Sequence, residues 1–141
     1  MYADYAYYTD QYHGTVGAAD FPRLAVKASA FLDYYTMGKA KANSELEALK
    51  MACCALVDKY AEIEVLSAAA KKSVSDAVSV GKKSESVGSY SVTYQTADEF
   101  RAMEQQSRAD LAEIARMYLA GTNLLYRGGC RNVCSTHCNG L

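Results

Sequence analysis

Four side chains near the C-terminus have a spacing that could hold a metal ion: Cys130, Cys134, His137 and Cys138. Thiolate and imidazole groups within a short stretch suit tetrahedral zinc. Structural zinc sites, however, usually draw pairs of ligands from two separate elements, whereas these four residues lie close together after two glycines. The four residues could therefore belong either to a zinc site or to a loose terminal tail. We expect no metal or other cofactor.

Catalytic groups are scarce in the rest of the sequence. The two histidines, His13 and His137, lie beside glycine or cysteine near the chain ends, with no nucleophile and orienting group at a useful spacing. Glu62 and Glu64 are two residues apart, and on a helix this spacing places them on different faces. No glycine-rich phosphate loop is present either. The sequence therefore predicts that the protein is not an enzyme.

Two long helices are predicted in the first half of the chain. Asp20 would supply an acceptor at the start of the first, which carries apolar residues at three- and four-residue steps and should end near Gly38. Ser44 and Glu47 form a capping-box pattern at the start of the second, which should run to about Lys72. Cys53 and Cys54 lie on or beside the apolar stripe of this helix, where free cysteine usually packs as a small hydrophobic residue.

A change of pattern separates these helices from a third. Serine, valine and glycine dominate from Ser73 to Ser91, and the alternation over Tyr90–Tyr94 indicates a strand whose hairpin partner would contain Val78 and Val80. Thr96 and Glu99 then form a second capping box, and the third helix should end at Gly121. The predicted fold is mainly α: a small bundle of three long helices with short terminal helical turns, and a β-hairpin or extended loop before the last long helix.

Length and composition limit the number of domains and the kinds of partner that the chain can have. The 141 residues suit a single domain, predicted at 1–128 with the hairpin at about 76–94, followed by a cysteine-bearing tail at 129–141. Leu, Ile, Val and Phe number only 26, against 23 alanines and 12 tyrosines, so the chain could complete its burial against copies or partners. The net charge of −1 argues against binding nucleic acid by bulk electrostatics. We expect no membrane span and no signal peptide, hence synthesis in a cytosol.

Two sets of surface residues allow both an ordinary and a functional interpretation. The N-terminal tyrosines, Tyr5 and Tyr8 among them, could pack over helix ends or form intersubunit contacts, where tyrosine is enriched. Lys82 and Lys83 could form an ordinary solvated surface, or a loop tip that faces a phosphate backbone.

Three segments resemble the head-tail connector, or adaptor, proteins of tailed bacteriophages and prophages. They are DFPRLAVKASAFLDYYTMG at 20–38, SESVGSYSVTY at 84–94, and ARMYLAGTNLLYRG at 115–128. The order and spacing of these segments match those of the connector proteins over roughly residues 15 to 128. The most specific combination is the second segment followed by a helix and YLAGTNLLYRG.

The resemblance implies a structural subunit of the virion neck, made in the cytoplasm of a bacterial host. Such subunits form a homo-oligomeric ring, usually a dodecamer in the virion, beneath the portal protein. The ring lengthens the channel for double-stranded DNA, without sequence-specific binding, and docks the stopper or tail-completion protein.

The resemblance also assigns candidate contacts. The C-terminal segment would reach the portal through Leu124, Leu125, Tyr126 and Arg127. The hairpin, with Lys82, Lys83, Tyr90 and Tyr94, would contact neighbouring subunits, the lumen or the next ring. Family members often end near the LLYRG motif, so the tail beyond has no role carried over from them. The alternative function is a small zinc-binding helical protein, with a regulatory or interaction role, that uses this tail.

Overall fold

Helices dominate the computed structural model, which describes the backbone of residues 1–80, 84–87, 90–93 and 97–125 and the side chains of residues 1–72, 98–99 and 101–125. α1 (Tyr5–Tyr7) continues into a π-helical turn, Tyr8–Tyr12. α2 (Phe21–Tyr35), α3 (Glu47–Val80) and α4 (Ala97–Leu119) are the long helices, and 3₁₀ turns lie at Lys39–Asn43 and Asn123–Leu125. The mainly helical class is confirmed.

Helix α3 forms the centre of the core, and both α2 and α4 pack mainly on it. Ser29 of α2 lies beside Cys53 of α3, with 3.7 Å between oxygen and sulfur, while Lys59 of α3 pairs with Asp110 of α4 at 2.9 Å. The core is built from small residues and leucines rather than β-branched ones, as the alanine-rich composition predicts. Its largest fully buried side chains include Tyr8, Phe21, Leu24, Leu32, Leu49, Leu56 and Leu119.

The starts of α2 and α3 differ in detail from the sequence prediction. Asp20 occupies the N-cap position of α2, but its side chain accepts no backbone N–H and pairs instead with Arg23 at 3.3 Å. Helix α3 begins at Glu47, so the capping box predicted at Ser44 is wrong; Ser44 ends the preceding 3₁₀ turn. Leu46 lies just before the helix and is 36% exposed.

Helix α3 is also longer than predicted, since it runs to Val80 rather than to about Lys72. The prediction that Val78 and Val80 form a strand is therefore wrong, because both lie in the last turn of this helix. The backbone instead has two four-residue strands, β1 (Ser84–Val87) and β2 (Tyr90–Thr93), which pair antiparallel with Val87 opposite Tyr90. The side chains of both strands lie outside the part of the chain that the structure describes.

Candidate interaction surfaces

The tyrosine-rich N-terminal segment, residues 1–16, lies across α2 and α3 of its own chain. Tyr8 is fully buried, and its ring centroid lies 4.9 Å from that of Phe21 and 6.2 Å from that of Tyr5. The Tyr8 hydroxyl donates to Asp58 and accepts the backbone N–H of Val16 at 2.9 Å. Tyr8 was predicted as an intersubunit candidate, but in this conformation it is closed to any partner, whereas Tyr5 remains 36% exposed.

Two further tyrosines of this segment bind carboxylates far along the chain. The Tyr2 hydroxyl donates to Asp33 of α2, and the Tyr7 hydroxyl donates to Glu47 at the start of α3. Desolvation and then these hydrogen bonds raise the pKa of Tyr2 and Tyr7, and the same two causes raise that of Tyr8 to about 12. The hydroxyls therefore remain donors at neutral pH, and they fasten the segment to both helices.

The adjacent thiols of Cys53 and Cys54 are fully buried on α3. Desolvation raises the pKa of both thiols, and desolvation together with the neighbouring Cys53 raises that of Cys54 to about 12. Only a thiolate is a strong nucleophile or metal ligand, so these protonated thiols are poorly suited to either chemistry. Their environment fits the interpretation of small core residues.

Helix α2 exposes apolar side chains on the side that faces away from α3. Val26, Tyr34 and Met37 are 60%, 81% and 71% exposed, and Ala30 between them is also exposed. Steps of four residues place Val26, Ala30 and Tyr34 on one face of the helix, and Met37 follows just after its end in a left-handed conformation; we call these four side chains the α2 outer face. This face is not among the sequence predictions, although the four-residue spacing of Val26, Ala30 and Tyr34 forms a second stripe opposite the buried one.

Helix α4 has an outward side of different character, which we call the α4 outer face. Met117 is 66% exposed, and four further residues at three- and four-residue steps from it are exposed as well. They are mainly small or polar: Ala102, Gln106, Ala109 and Glu113. The helix thus presents one protruding apolar side chain on an otherwise low and polar surface.

The middle of α3 forms a third exposed region, beside the start of α2. Val65 is 70% exposed and Leu66 is 44% exposed. Glu64 beside them accepts from Arg23 at 2.8 Å and from Lys27 at 2.6 Å. An open groove of about 480 Å³ lies here, between the loop at 15–17, the start of α2 and α3. Because its charged groups pair with one another, the groove has no unpaired charge to select a ligand.

The candidate portal contacts lie at the edge of the described part. Leu124 is only 5% exposed and belongs to the core, and Leu125 is partly buried against that core. Tyr126 and Arg127 fall outside the described residues, as do Lys82, Lys83, Tyr94 and the side chain of Tyr90. Leu124 therefore anchors the last turn to the bundle in this conformation.

The predicted zinc ligands Cys130, Cys134, His137 and Cys138 also lie outside the described residues. Within the part that the structure covers, no group of three or more His, Cys, Asp or Glu side chains could hold a metal ion. His13 is exposed, with its Nδ1 3.1 Å from the carbonyl oxygen of Thr9. Glu62 binds Lys59 at 3.0 Å, whereas Glu64 binds groups of α2, so the two carboxylates have separate partners.

Comparison of the chain with protein-family models gives no match, and comparisons with curated proteins and with solved structures give none either. Among the described helices, none is both long enough and apolar enough to cross a membrane. The interpretation of function therefore depends on the sequence segments and on the exposed surfaces described above.

Proposed function

We propose that this protein is a structural adaptor of a phage neck, which forms an oligomeric ring between the capsid portal and the stopper or tail. The three segments that resemble connector proteins support this assignment. So does a fold made mainly of helices, which is the kind of subunit the resemblance implies. In this proposal the protein acts by joining other proteins and by extending the DNA channel, and its partners are copies of itself and the proteins above and below the ring.

The observation that carries the proposal is the contrast between a closed core and exposed apolar side chains on several sides. A ring subunit makes heterologous contacts with two neighbours, so it needs binding surfaces on two different sides. The α2 outer face holds Val26, Tyr34 and Met37, and the α4 outer face holds Met117. Large exposed apolar side chains grouped on one face are typical of protein–protein contacts.

The finer parts of the proposal concern the ends of the subunit. The hairpin, residues 76–94 in the sequence prediction, would contact neighbouring subunits, the lumen or the next ring. The C-terminal segment would dock on the portal, and because Leu124 is buried, that contact would use Leu125 and the residues after it. The near-neutral net charge suits a channel through which DNA slides, since a strongly basic wall would retain phosphates.

Electron microscopy of portal particles provides the direct test. The purified protein is mixed with the portal encoded in the same genome, and the particles are imaged with and without it. We expect an added ring of density beneath the portal. A helical protein of similar mass and charge, added in place of this one, is the matched control for nonspecific decoration.

Absence of any added ring density, at protein concentrations well above that of the portal, would contradict the proposal. A second arm tests the docking end: Leu125→Glu should reduce ring occupancy while the circular dichroism spectrum remains that of the wild type. Full occupancy by this variant would remove Leu125 from the portal contact but leave the adaptor function in place.

A further inference from the structure

The α2 and α4 outer faces point to different sides of the subunit. Helix α2 packs against α3 around Cys53, and α4 reaches α3 at Lys59, six residues further along. At 3.6 residues per turn, six residues place Lys59 about 120° around the helix from Cys53. Because α2 and α4 contact each other little, their outward faces can meet two different neighbours at the same time.

The two faces differ in the size of their side chains. The α2 outer face carries large protruding side chains, Val26, Tyr34 and Met37. The α4 outer face offers alanines, Ala102 and Ala109, beside which a large side chain of another copy can be accommodated. Large residues on one helix that fit beside small residues on another allow close helix packing. A contact between two α2 outer faces would instead place large side chains against one another.

The two helices also differ in net charge. Residues 20–43, which comprise α2 and the turn after it, contain four basic and two acidic side chains, a net charge of +2. Helix α4 contains three basic and five acidic side chains, a net charge of −2. Glu113 lies on the outer face of α4, with Arg116 at its edge, and Lys41 lies just beyond Met37 in the turn after α2. Arg23 and Lys27 already pair with Glu64, and Asp110 pairs with Lys59, so the complementary charges at the two faces themselves are Lys41 and Glu113, which favour α2 against α4 over either helix against its own copy.

We infer that the α2 outer face of one copy packs on the α4 outer face of the next copy, in a heterologous contact that repeats around the oligomer. This inference rests on the proposed ring function and names the two surfaces through which the ring forms. A contact of this type leaves one free face at each end of any open chain of subunits, so it continues until the ring closes.

Two single-face variants test the pairing. Tyr34→Glu places an acidic group on the α2 outer face, opposite an acidic helix, and Met117→Lys places a basic group on the α4 outer face, opposite a basic one. Both positions are exposed, so each variant should keep the wild-type circular dichroism spectrum. Self-association is measured by sedimentation velocity up to about 1 mM chain, where contacts with millimolar Kd are populated. We expect each variant to associate at least about tenfold more weakly than the wild type.

Mixing the two variants gives the decisive result. The Tyr34→Glu copy keeps an intact α4 outer face and the Met117→Lys copy keeps an intact α2 outer face, and the two altered faces carry opposite charges, so the mixture should regain the association that each variant lacks alone. Val65→Lys, an exposed position outside both faces, is the matched control and should associate like the wild type. A wild type that stays monomeric, single variants that associate normally, a mixture that does not regain association, or loss of association in Val65→Lys would each overturn the inference.

The portal experiment separates this inference from the proposed function. If ring density forms equally well with Tyr34→Glu, the adaptor function is supported and the inferred α2–α4 contact is contradicted. If the protein associates through the two faces in solution but adds no ring density to the portal, the α2–α4 contact is supported and the adaptor function is contradicted.

Discussion

The two halves of helix α3 have similar residue types but opposite surroundings. From Ala52 to Val57 every side chain is buried, whereas Val65 and Leu66, little more than two turns later, are 70% and 44% exposed. The first half lies beneath the N-terminal segment, α2 and α4 together. The described side chains of the second half, at residues 64–72, extend past the start of α2, where fewer elements cover them, and only Ala70 among them is buried. Whether a side chain of this alanine- and leucine-rich helix is buried thus depends on which elements pack over it. The tyrosine-rich segment at residues 1–16 is one of these elements.

Removal of the buried tyrosine should produce the largest effect. Tyr8→Ala deletes a fully buried ring together with the hydrogen bond from its hydroxyl to Asp58, so we expect a loss of about 3–5 kcal/mol in the free energy of unfolding. The measurement is urea denaturation followed by circular dichroism. Tyr34→Ala, at a position that is 81% exposed, is the control and should change stability by about 0.5 kcal/mol or less. Equal denaturation midpoints for the two variants would show that the N-terminal segment does not cover the core.

A matched pair of leucines compares the two halves of α3 directly. Leu56→Ala opens a cavity in the buried half and should lower the free energy of unfolding by about 2–5 kcal/mol. Leu66→Ala removes the same atoms from a side chain that is 44% exposed, and should lower it by about 1 kcal/mol or less. Both variants keep the helix propensity of the chain similar, so the difference reports burial alone. A loss at Leu66 as large as that at Leu56 would mean that the second half of α3 is covered.

Features that depend on local residue spacing can be predicted from this sequence more closely than contacts between residues far apart in the chain. The α2 stripe and the end of the last helix follow local spacing, and both are close to where they were predicted. The length of α3 was underestimated because a formed helix adds residues more easily than a new one starts, so serine and valine after Lys72 can continue it to Val80.

Contacts across the chain were beyond local sequence patterns. The partner of Tyr8 is Asp58, fifty residues away, and the partner of Tyr2 is Asp33. Nothing in the spacing of the tyrosines reveals these pairs, because they depend on how the segment crosses two helices. Of the two interpretations of the N-terminal tyrosines, packing over helix ends therefore describes Tyr8 in this conformation, while the exposed stripe of α2, which could be read from its spacing, remained unrecognised.

The close approach of Gly14 to Tyr8 gives a smaller test of the covering segment. A Cβ atom at Gly14 would overlap the Tyr8 ring, and this buried ring has little room to move. Gly14→Ala should therefore lower the free energy of unfolding by about 1–3 kcal/mol. Gly17→Ala is the control, because a Cβ atom there meets nothing within 4 Å, and it should stay within about 0.5 kcal/mol of the wild type. If both alanines behave alike, the segment does not pack on the bundle through Tyr8 as described.

The exposed ion pairs of the second half of α3 should give the smallest effect, and it should depend on pH. Arg23 and then Lys27 lower the pKa of Glu64 from its ordinary value of 4.5 to about 2. A carboxyl whose pKa is lowered in the folded protein adds stability above its ordinary pKa and loses it as pH falls through the lowered one. The Glu64 side chain is 35% exposed, so solvent screening limits the contribution of these pairs to about 0.3–1 kcal/mol near neutral pH.

The measurement compares the free energy of unfolding of the wild type and of Glu64→Gln between pH 7 and pH 2. We expect the difference between the two proteins to be constant down to about pH 4.5 and to vanish as the pH approaches about 2. Added salt should reduce it at neutral pH, because the pairs are exposed to ions. Glu113→Gln, at an exposed position on the α4 outer face, is the control, and its substitution should leave the pH profile of the wild type. A pH-independent difference at Glu64 would mean that its side chain stabilises α2 against α3 by packing rather than by charge.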